Sequence, residues 1–477
     1  FDSLEMQAQV RPSEGAFPAW TVGCGLATSV FIATVIAAVA LDGQNVETSH
    51  AFLVNKAPVR MLPVRDFSPV LRQSLKGRAS ALEQEAVRTS VDDGSPIFLD
   101  DDKELGGFEK WCRLAGVRSA PLGHAMRAGR LGGVRGLYCT QHIVTGDMLV
   151  EVPESAVLRL QPNEPCPTDH QEVFGEFWEK YPDSNVRLGL KLLWERTKGD
   201  SSSVAGYVSL LDPEIAATAP FTWDEKDIDT AFGYYPAFRN SVLAQKQKWG
   251  MLTSDLPSNS GFEAEDLLWA MYTVASRAFE GDFGTPLWQA FVPGLPLVRE
   301  LIGGTRTTVL LPLIDSANHN SNRSTELDFN PISRKFSLLA TEDREIGDEV
   351  MISYGKHSND VLLQRFAFVE ENNPYDSFTI RGEQVTTFVG GTKTEFGPTT
   401  LLRNGKFRKG LEGVATIAAA NGTSLDTKQV IRGVAEKLLN SMESTTFEEL
   451  DSMHKRQAAE AFKNEKLRTV RDFLAAV

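Results

Sequence analysis

The chain has 477 residues and a formal net charge of −14, length enough for two or three domains. With 42% hydrophobic residues it can bury an ordinary core. The acidic balance denies it the basic footprint of a sequence-independent nucleic-acid binder, and its four cysteines, Cys24, Cys112, Cys139 and Cys166, form no CxxC pair, which argues against a zinc centre or disulfide framework and for a reducing compartment.

The chain opens at Phe1 without an initiator methionine, as a processed or partial form would. Residues 1–18 read as a tail. Ala19–Leu41 carries no charge. As a helix rising 1.5 Å per residue it is long enough to cross a hydrocarbon core of roughly 30 Å. Acids rather than a basic segment precede it, unlike a secretory signal. Gly23, Ala27 and Thr34 would allow close helix contact. The expectation is a single transmembrane helix; a buried hairpin helix and an uncleaved targeting segment are the other readings. Residues 42–105 read as a mixed-charge linker, with an acidic run at Asp100–Asp102 and one helix near Ala79–Arg88.

The folded body begins near Gly107. FEKWCRLAGV predicts a helix with Phe108, Trp111 and Leu114 on one face. Strands follow at Leu137–Thr140 and Met148–Val152, on either side of the turn Thr145-Gly146-Asp147. Five arginines and no acid lie between Arg113 and Arg135, a stretch that would face an acidic partner, lipid headgroups or solvent. From about residue 170 to 303 the pattern is helical. Val186, Leu190, Leu193 and Trp194 form one apolar stripe, and Leu267, Leu268, Met271, Val274 and Ala275 form another behind a possible capping box at Ser260–Glu263.

The densest patterning runs from Leu313 to Asp376. An Asn-His pair, Asn318-His319, is followed by a Gly347-Asp348 turn. Next comes an alternating strand with Val350 and Ile352 on one side and Met351 and Ser353 on the other, and then Tyr354-Gly355. Tyr354 therefore sits where a strand stops, a place that can hold one hydroxyl in fixed geometry. Beyond Asp376 the pattern predicts strands at Ser377–Ile380 and Gln384–Val389. A helix with a Val430, Ile431, Val434 and Leu438 stripe comes next, then a helix start at Thr446–Glu449 and a last helix near Gln457–Leu474.

The ordered set Asp315, Asn318-His319, Gly347-Asp348, Tyr354-Gly355, Ser358-Asn359, Ala367-Phe368-Val369, Asn373-Pro374 and Asp376 resembles the C-terminal core of SET-domain methyltransferases. The branch it resembles is that of the Rubisco large-subunit lysine methyltransferase and the actin-histidine methyltransferase. The resemblance implies an α+β fold of small sheets. A SET domain would cover 106–380 with a helical insert at about 170–303, and a helical substrate-binding-like domain 381–477. It implies S-adenosyl-L-methionine as cofactor, a protein lysine or histidine side chain as substrate, and no metal. Tyr354 would be the catalytic residue. Gly136, Leu137, Arg277, Asn318 and His319 would hold the cofactor, Arg277 through the cofactor carboxylate. Asp315 would line the substrate channel or cap its turn. In place of the Rubisco branch's tyrosine before Gly-Phe stands Phe366-Ala367, so Phe366 contributes a ring to the substrate site without a hydroxyl. The first glycine of the family's Gly-x-Gly loop is Val134 here.

Two functional classes stay open. One is a membrane-anchored protein-lysine methyltransferase, with histidine as a further alternative. The other is a non-catalytic SET-fold scaffold subunit of a membrane complex, photosynthetic in one reading. A plastid membrane, thylakoid or envelope, is the expected location, with the body on the stromal or cytosolic side.

Overall fold

Short apolar runs and period-two alternation set the strands, and 3.6-residue stripes set the helices between them. The computed structural model of the chain describes residues 97–98, 103–127, 134–281, 283, 306–388, 397–408 and 426–477. The expected membrane span Ala19–Leu41 and the helix near Ala79–Arg88 lie outside them. Among the described residues no helix is long and apolar enough to cross a membrane.

Strand β1 (Ile97–Phe98) precedes helix α1 (Lys103–Ala115). Helix α1 buries Leu105, Phe108 and Cys112, whereas Leu114 is 80% exposed. Six positions are about one and two-thirds helical turns, so Leu114 swings some 120° away from Phe108. Strands β2 (Arg118–Ser119), β3 (Leu122–Arg127), β4 (Val134–Cys139), β5 (Met148–Pro153) and β6 (Leu158–Leu160) follow.

The helical block comprises α2 (Gln171–Lys180), α3 (Ser184–Thr197), α4 (Ala205–Leu210), α5 (Glu225–Phe232), α6 (Pro236–Ser254) and α7 (Ala264–Arg277). Asp183 starts α3 by accepting from Asn185 N at 2.9 Å. Helices α3 and α7 touch through Gly189, where a Cβ would lie 3.2 Å from Met271 N, and α7 ends at Arg277. The capping box falls three residues later than the sequence suggests: Glu263 is the N-cap and its N–H donates to Asp266 Oδ2. Ser260 instead closes a local turn with the backbone of Phe262.

Strands β7 (Phe279–Gly281), β8 (Thr307–Leu310), β9 (Asn318–His319), β10 (Glu326–Asn330), β11 (Lys335–Leu339) and β12 (Glu349–Ile352) lead to helix α8 (Asn359–Phe366). Three small sheets result, ordered β1-β3-β4-β12-β9, β10-β11-β5-β2 and β6-β8-β7. In the first, β12 runs antiparallel to β4, pairing Glu349 with Tyr138 and Val350 with Leu137. It runs parallel to the two-residue β9, pairing Met351 with Asn318 and Ile352 with His319. Leu137, Cys139, Val350 and Ile352 enter the hydrophobic core. By strand alternation Gly136, Tyr138, Glu349 and Met351 occupy the opposite face.

The C-terminal part holds β13 (Ser377–Ile380), α9 (Gly382–Phe388), β14 (Thr399–Leu402), β15 (Phe407–Arg408), α10 (Thr427–Glu443) and α11 (Met453–Ala476). β13, β14 and β15 form a fourth sheet. The run from Gln384 is helical rather than extended: Val385 and Thr386 are buried, and the Phe388 ring lies against Gly433 of α10. Packing on α10 outweighs the β-branched preference of Val385-Thr386-Thr387. Thr446 starts no helix. Phe447 and Leu450 are buried in a turn, and α11 starts at Met453 behind Ser452.

Candidate active site

Tyr354 lies two residues beyond the end of β12, and all its polar groups are tied. Its hydroxyl donates to Ala317 O at 2.9 Å, its N–H donates to His319 Nδ1 at 2.9 Å, and its carbonyl accepts from His357 Nε2 at 2.9 Å. Because His319 Nδ1 accepts, the ring proton sits on Nε2, 3.2 Å from Ser321 Oγ and 3.5 Å from Glu370 Oε2. Burial works against the charge on Glu370, yet hydrogen bonds from His319 and Ser321 hold its carboxyl below the usual range. His357, buried and near Arg365, is pushed down to about 4 and is neutral at physiological pH. Burial raises the Tyr354 hydroxyl above its ordinary range, opposed by nearby Arg277, so it stays protonated.

Asn318 lies beside this tyrosine in the parallel strand. Its amide donates to Glu349 Oε1 at 2.7 Å and to Arg135 O at 3.2 Å. Gly136 makes room for the arrangement: a Cβ there would come within 2.5 Å of Glu349 Oε1 and 2.7 Å of Asn318 Nδ2. Leu137, expected at the cofactor, sends its side chain into the core, so only its backbone can serve a ligand.

Arg277 ends α7 and reaches Asp315, with Nη1 at 3.3 Å from Oδ2 and 3.2 Å from the backbone carbonyl. Tyr207 of α4 donates to the same Oδ2 at 2.7 Å. Asp315 thus accepts from two side chains rather than capping its own turn. Burial raises its carboxyl pKa, opposed by Arg277. Arg277 Nε and Asp315 Oδ1 are both buried without a hydrogen-bond partner, so the guanidinium fork retains an unused donor. Leu313, two residues before Asp315, sits at φ 70° and ψ −42°, a strained backbone for leucine of the kind that clusters at functional sites.

An aromatic wall completes the site. Phe366 lies 5.0 Å and Phe368 6.4 Å from Tyr354, ring centre to ring centre, and His319 lies 5.0 Å away. Phe366 and Phe368 keep part of their surface open. Between them Ala367 occupies the left-handed region at φ 60°, a conformation that favours glycine.

The structure thus brings Tyr354, Asn318, His319, Arg277, Asp315, Gly136 and Phe366 together. Sequence reasoning missed Glu349, His357, Glu370 and Tyr207. Glu349 reads as one more strand residue until the register places it beside Gly136; His357 and Glu370 act across turns; Tyr207 comes from 108 residues before Asp315.

Sheets of this order, with the Asn-His strand parallel to the strand that delivers a tyrosine, define a SET fold. The solved structure of Rubisco LSMT bound to sinefungin and monomethyllysine matches it with a TM-score of 0.51 at 17% identity, covering 78% of this chain and 91% of that one. No protein-family model matches the chain. In sequence it is similar to actin-histidine N-methyltransferase of Drosophila melanogaster, 24% identical over 294 residues, or 59% of this chain and 52% of that protein. It is also similar to human SET domain-containing protein 4, 23% identical over 334 residues, covering 67% and 70%. The chain therefore spans about half the length of the first relative and somewhat over two thirds of the second.

Proposed function

We propose that the chain is an S-adenosyl-L-methionine-dependent protein N-methyltransferase acting on lysine, with histidine as the alternative. The observation that carries this reading is Tyr354: one hydroxyl, held at three points of its residue, beside an Asn-His strand and an open aromatic wall. The residues fit the cofactor. Arg277 keeps a buried, unused donor for a carboxylate. Asn318 and the backbones of His319 and of β4 at Gly136-Leu137 would hold the remainder. When bound, the cofactor supplies an electrophilic methyl group on a sulfonium.

The residues supply position and dryness, and methyl transfer to an amine needs no metal ligand from them. Because the Tyr354 hydroxyl gives its proton to Ala317 O, its oxygen lone pairs stay available to align a methyl group by CH···O contact. Phe366 and Phe368 would shield the substrate side chain from water and, by desolvating it, favour its uncharged amine. The relatives' names include histidine as a target; the phenyl ring at Phe366 offers no hydrogen bond to either kind of target. The missing hydroxyl and the strained Ala367 favour the second reading, a SET-fold scaffold without turnover. We further propose that Ala19–Leu41 anchors the protein in a membrane, a plastid one with the body towards stroma or cytosol. The support for the span is that uncharged stretch and for the plastid the resemblance to the Rubisco branch, and release of intact full-length protein by alkaline carbonate would overturn the anchor.

The test is calorimetry of the full chain with S-adenosylmethionine, followed by labelling of the native protein fraction with radioactive cofactor. Binding with transfer supports the enzyme. Binding without transfer, or no binding at millimolar cofactor, supports the scaffold.

A further inference from the structure

The sheet face that carries Gly136 also carries a carboxylate that the mechanism above leaves unused. Glu349 stands on β12 opposite Tyr138, and its Oε1 accepts from Asn318 Nδ2 at 2.7 Å. The amide nitrogen has two hydrogens, and the second goes to Arg135 O at 3.2 Å. Both neighbours are acceptors without a hydrogen to offer. Turning the amide over would press Asn318 Oδ1 against a carbonyl and a carboxylate, so the amide has a single orientation. No lysine or arginine among the described residues forms an ion pair with Glu349, which leaves the Asn318 amide as the carboxylate's side-chain partner. The arrangement depends on Gly136, since any side chain there would strike both groups.

We propose that Glu349 is a positioning residue: it fixes the Asn318 amide so that Oδ1 is presented to an N–H donor of the bound nucleoside–amino acid cofactor. The inference rests on the cofactor reading above. It also explains why an acid stands at this point. A carboxylate cannot donate, so it orders the amide in one sense, whereas a residue able to donate would allow both. The donor belongs either to the amino-acid end of the cofactor or to its adenine.

The experiment measures binding of S-adenosylmethionine, S-adenosylhomocysteine and methylthioadenosine to the full chain by calorimetry, with thermal unfolding as the fold control. Glu349→Ala is expected to weaken S-adenosylhomocysteine by about tenfold or more. Glu349→Gln, whose carbonyl can take the same hydrogen bond but whose NH2 also permits the turned amide, should lose affinity, though less than Glu349→Ala. Asn318→Asp, which sets two carboxylates face to face, should bind poorly. Adding Glu349→Gln to it should recover part of the loss, because glutamine can donate to the aspartate. A parallel loss for methylthioadenosine assigns the donor to adenine, and its absence assigns it to the amino-acid end. Glu349→Ala binding within about twofold of wild type would overturn the proposal alone. If that variant does not fold, absence of recovery in the double variant does the same. Wild type that binds none of the three compounds overturns both this proposal and the cofactor reading.

Discussion

The two ends of helix α8, eight residues long, are built in opposite ways. At its start Asn359 is fully buried. Its N–H donates to Asp376 Oδ1, its amide donates to Glu370 O, and its Oδ1 accepts from Glu370 N. Next to it Lys466 of α11 is buried between Asp360 and Asp376, 2.6 Å from each, and Tyr235 donates to Asp360 at 2.8 Å. At its end the helix runs out into Phe366, the left-handed Ala367 and Phe368, a partly open wall with no hydrogen-bonding side chain of its own. The first end is a closed polar network, which is specific because each member must find its partner. The second is a surface that can change. The motif residues at the closed end, Asn359, Asn373 and Asp376, bond to one another, and two of the three departures from the resembled pattern, Phe366 and Ala367, stand at the open end, the third, Val134, being on β4.

The closed end should break hardest. Lys466→Met leaves the buried Asp376 and the half-buried Asp360 without their cation and is expected to cost about 3–5 kcal/mol of stability; chemical denaturation measures this, and a loss under about 1 kcal/mol would mean the network is not a support. On the site side, Arg277→Ala should weaken S-adenosylmethionine by about ten- to a hundredfold, or about 1.5–3 kcal/mol. It should also lower Tm by leaving Asp315 unpaired. Unchanged affinity with a lowered Tm would confine Arg277 to holding Asp315.

His357 gives a smaller, pH-dependent effect. Its folded pKa of about 4 lies below the ordinary histidine value of about 6.5, so the unfolded chain binds more protons between them. Its contribution is complete above the unfolded value and is lost as pH falls from there through about 4. Unfolding curves for His357→Gln, which keeps a donor for Tyr354 O but does not titrate, should be flatter over that window. Equal slopes would remove His357 from the acid response. The mildest change is at the open end: Ala367→Gly relieves the left-handed alanine and should stabilise by about 1 kcal/mol or less. Destabilisation would show that the alanine methyl packs usefully.

Much of this was legible from residues alone. The alternation at Val350 and Ile352 gave β12, and the place where it stops gave Tyr354. The stripe Val186, Leu190 and Leu193 gave α3. What failed had physical reasons. Val385-Thr386-Thr387 looks extended until α10 supplies a helix to pack on, and Thr446 looks like a cap although Ser452 is the one followed by a helix. Asp315 and Arg277 were each visible, but their pairing, and the hydroxyl of Tyr207 beneath it, depends on bringing α4, α7 and the Leu313 turn together. Such contacts across the chain leave no local periodicity.

The central claim is that the pinned hydroxyl of Tyr354 aligns a methyl group in transfer. Its most direct test compares wild type with Tyr354→Phe in single-turnover labelling of the native protein fraction, alongside cofactor binding and Tm. The ring is kept, so affinity and stability should hardly change, while the rate should fall by about a hundredfold or more, about 2.7 kcal/mol at the barrier. Equal rates for the two proteins, at equal cofactor affinity, would contradict the account.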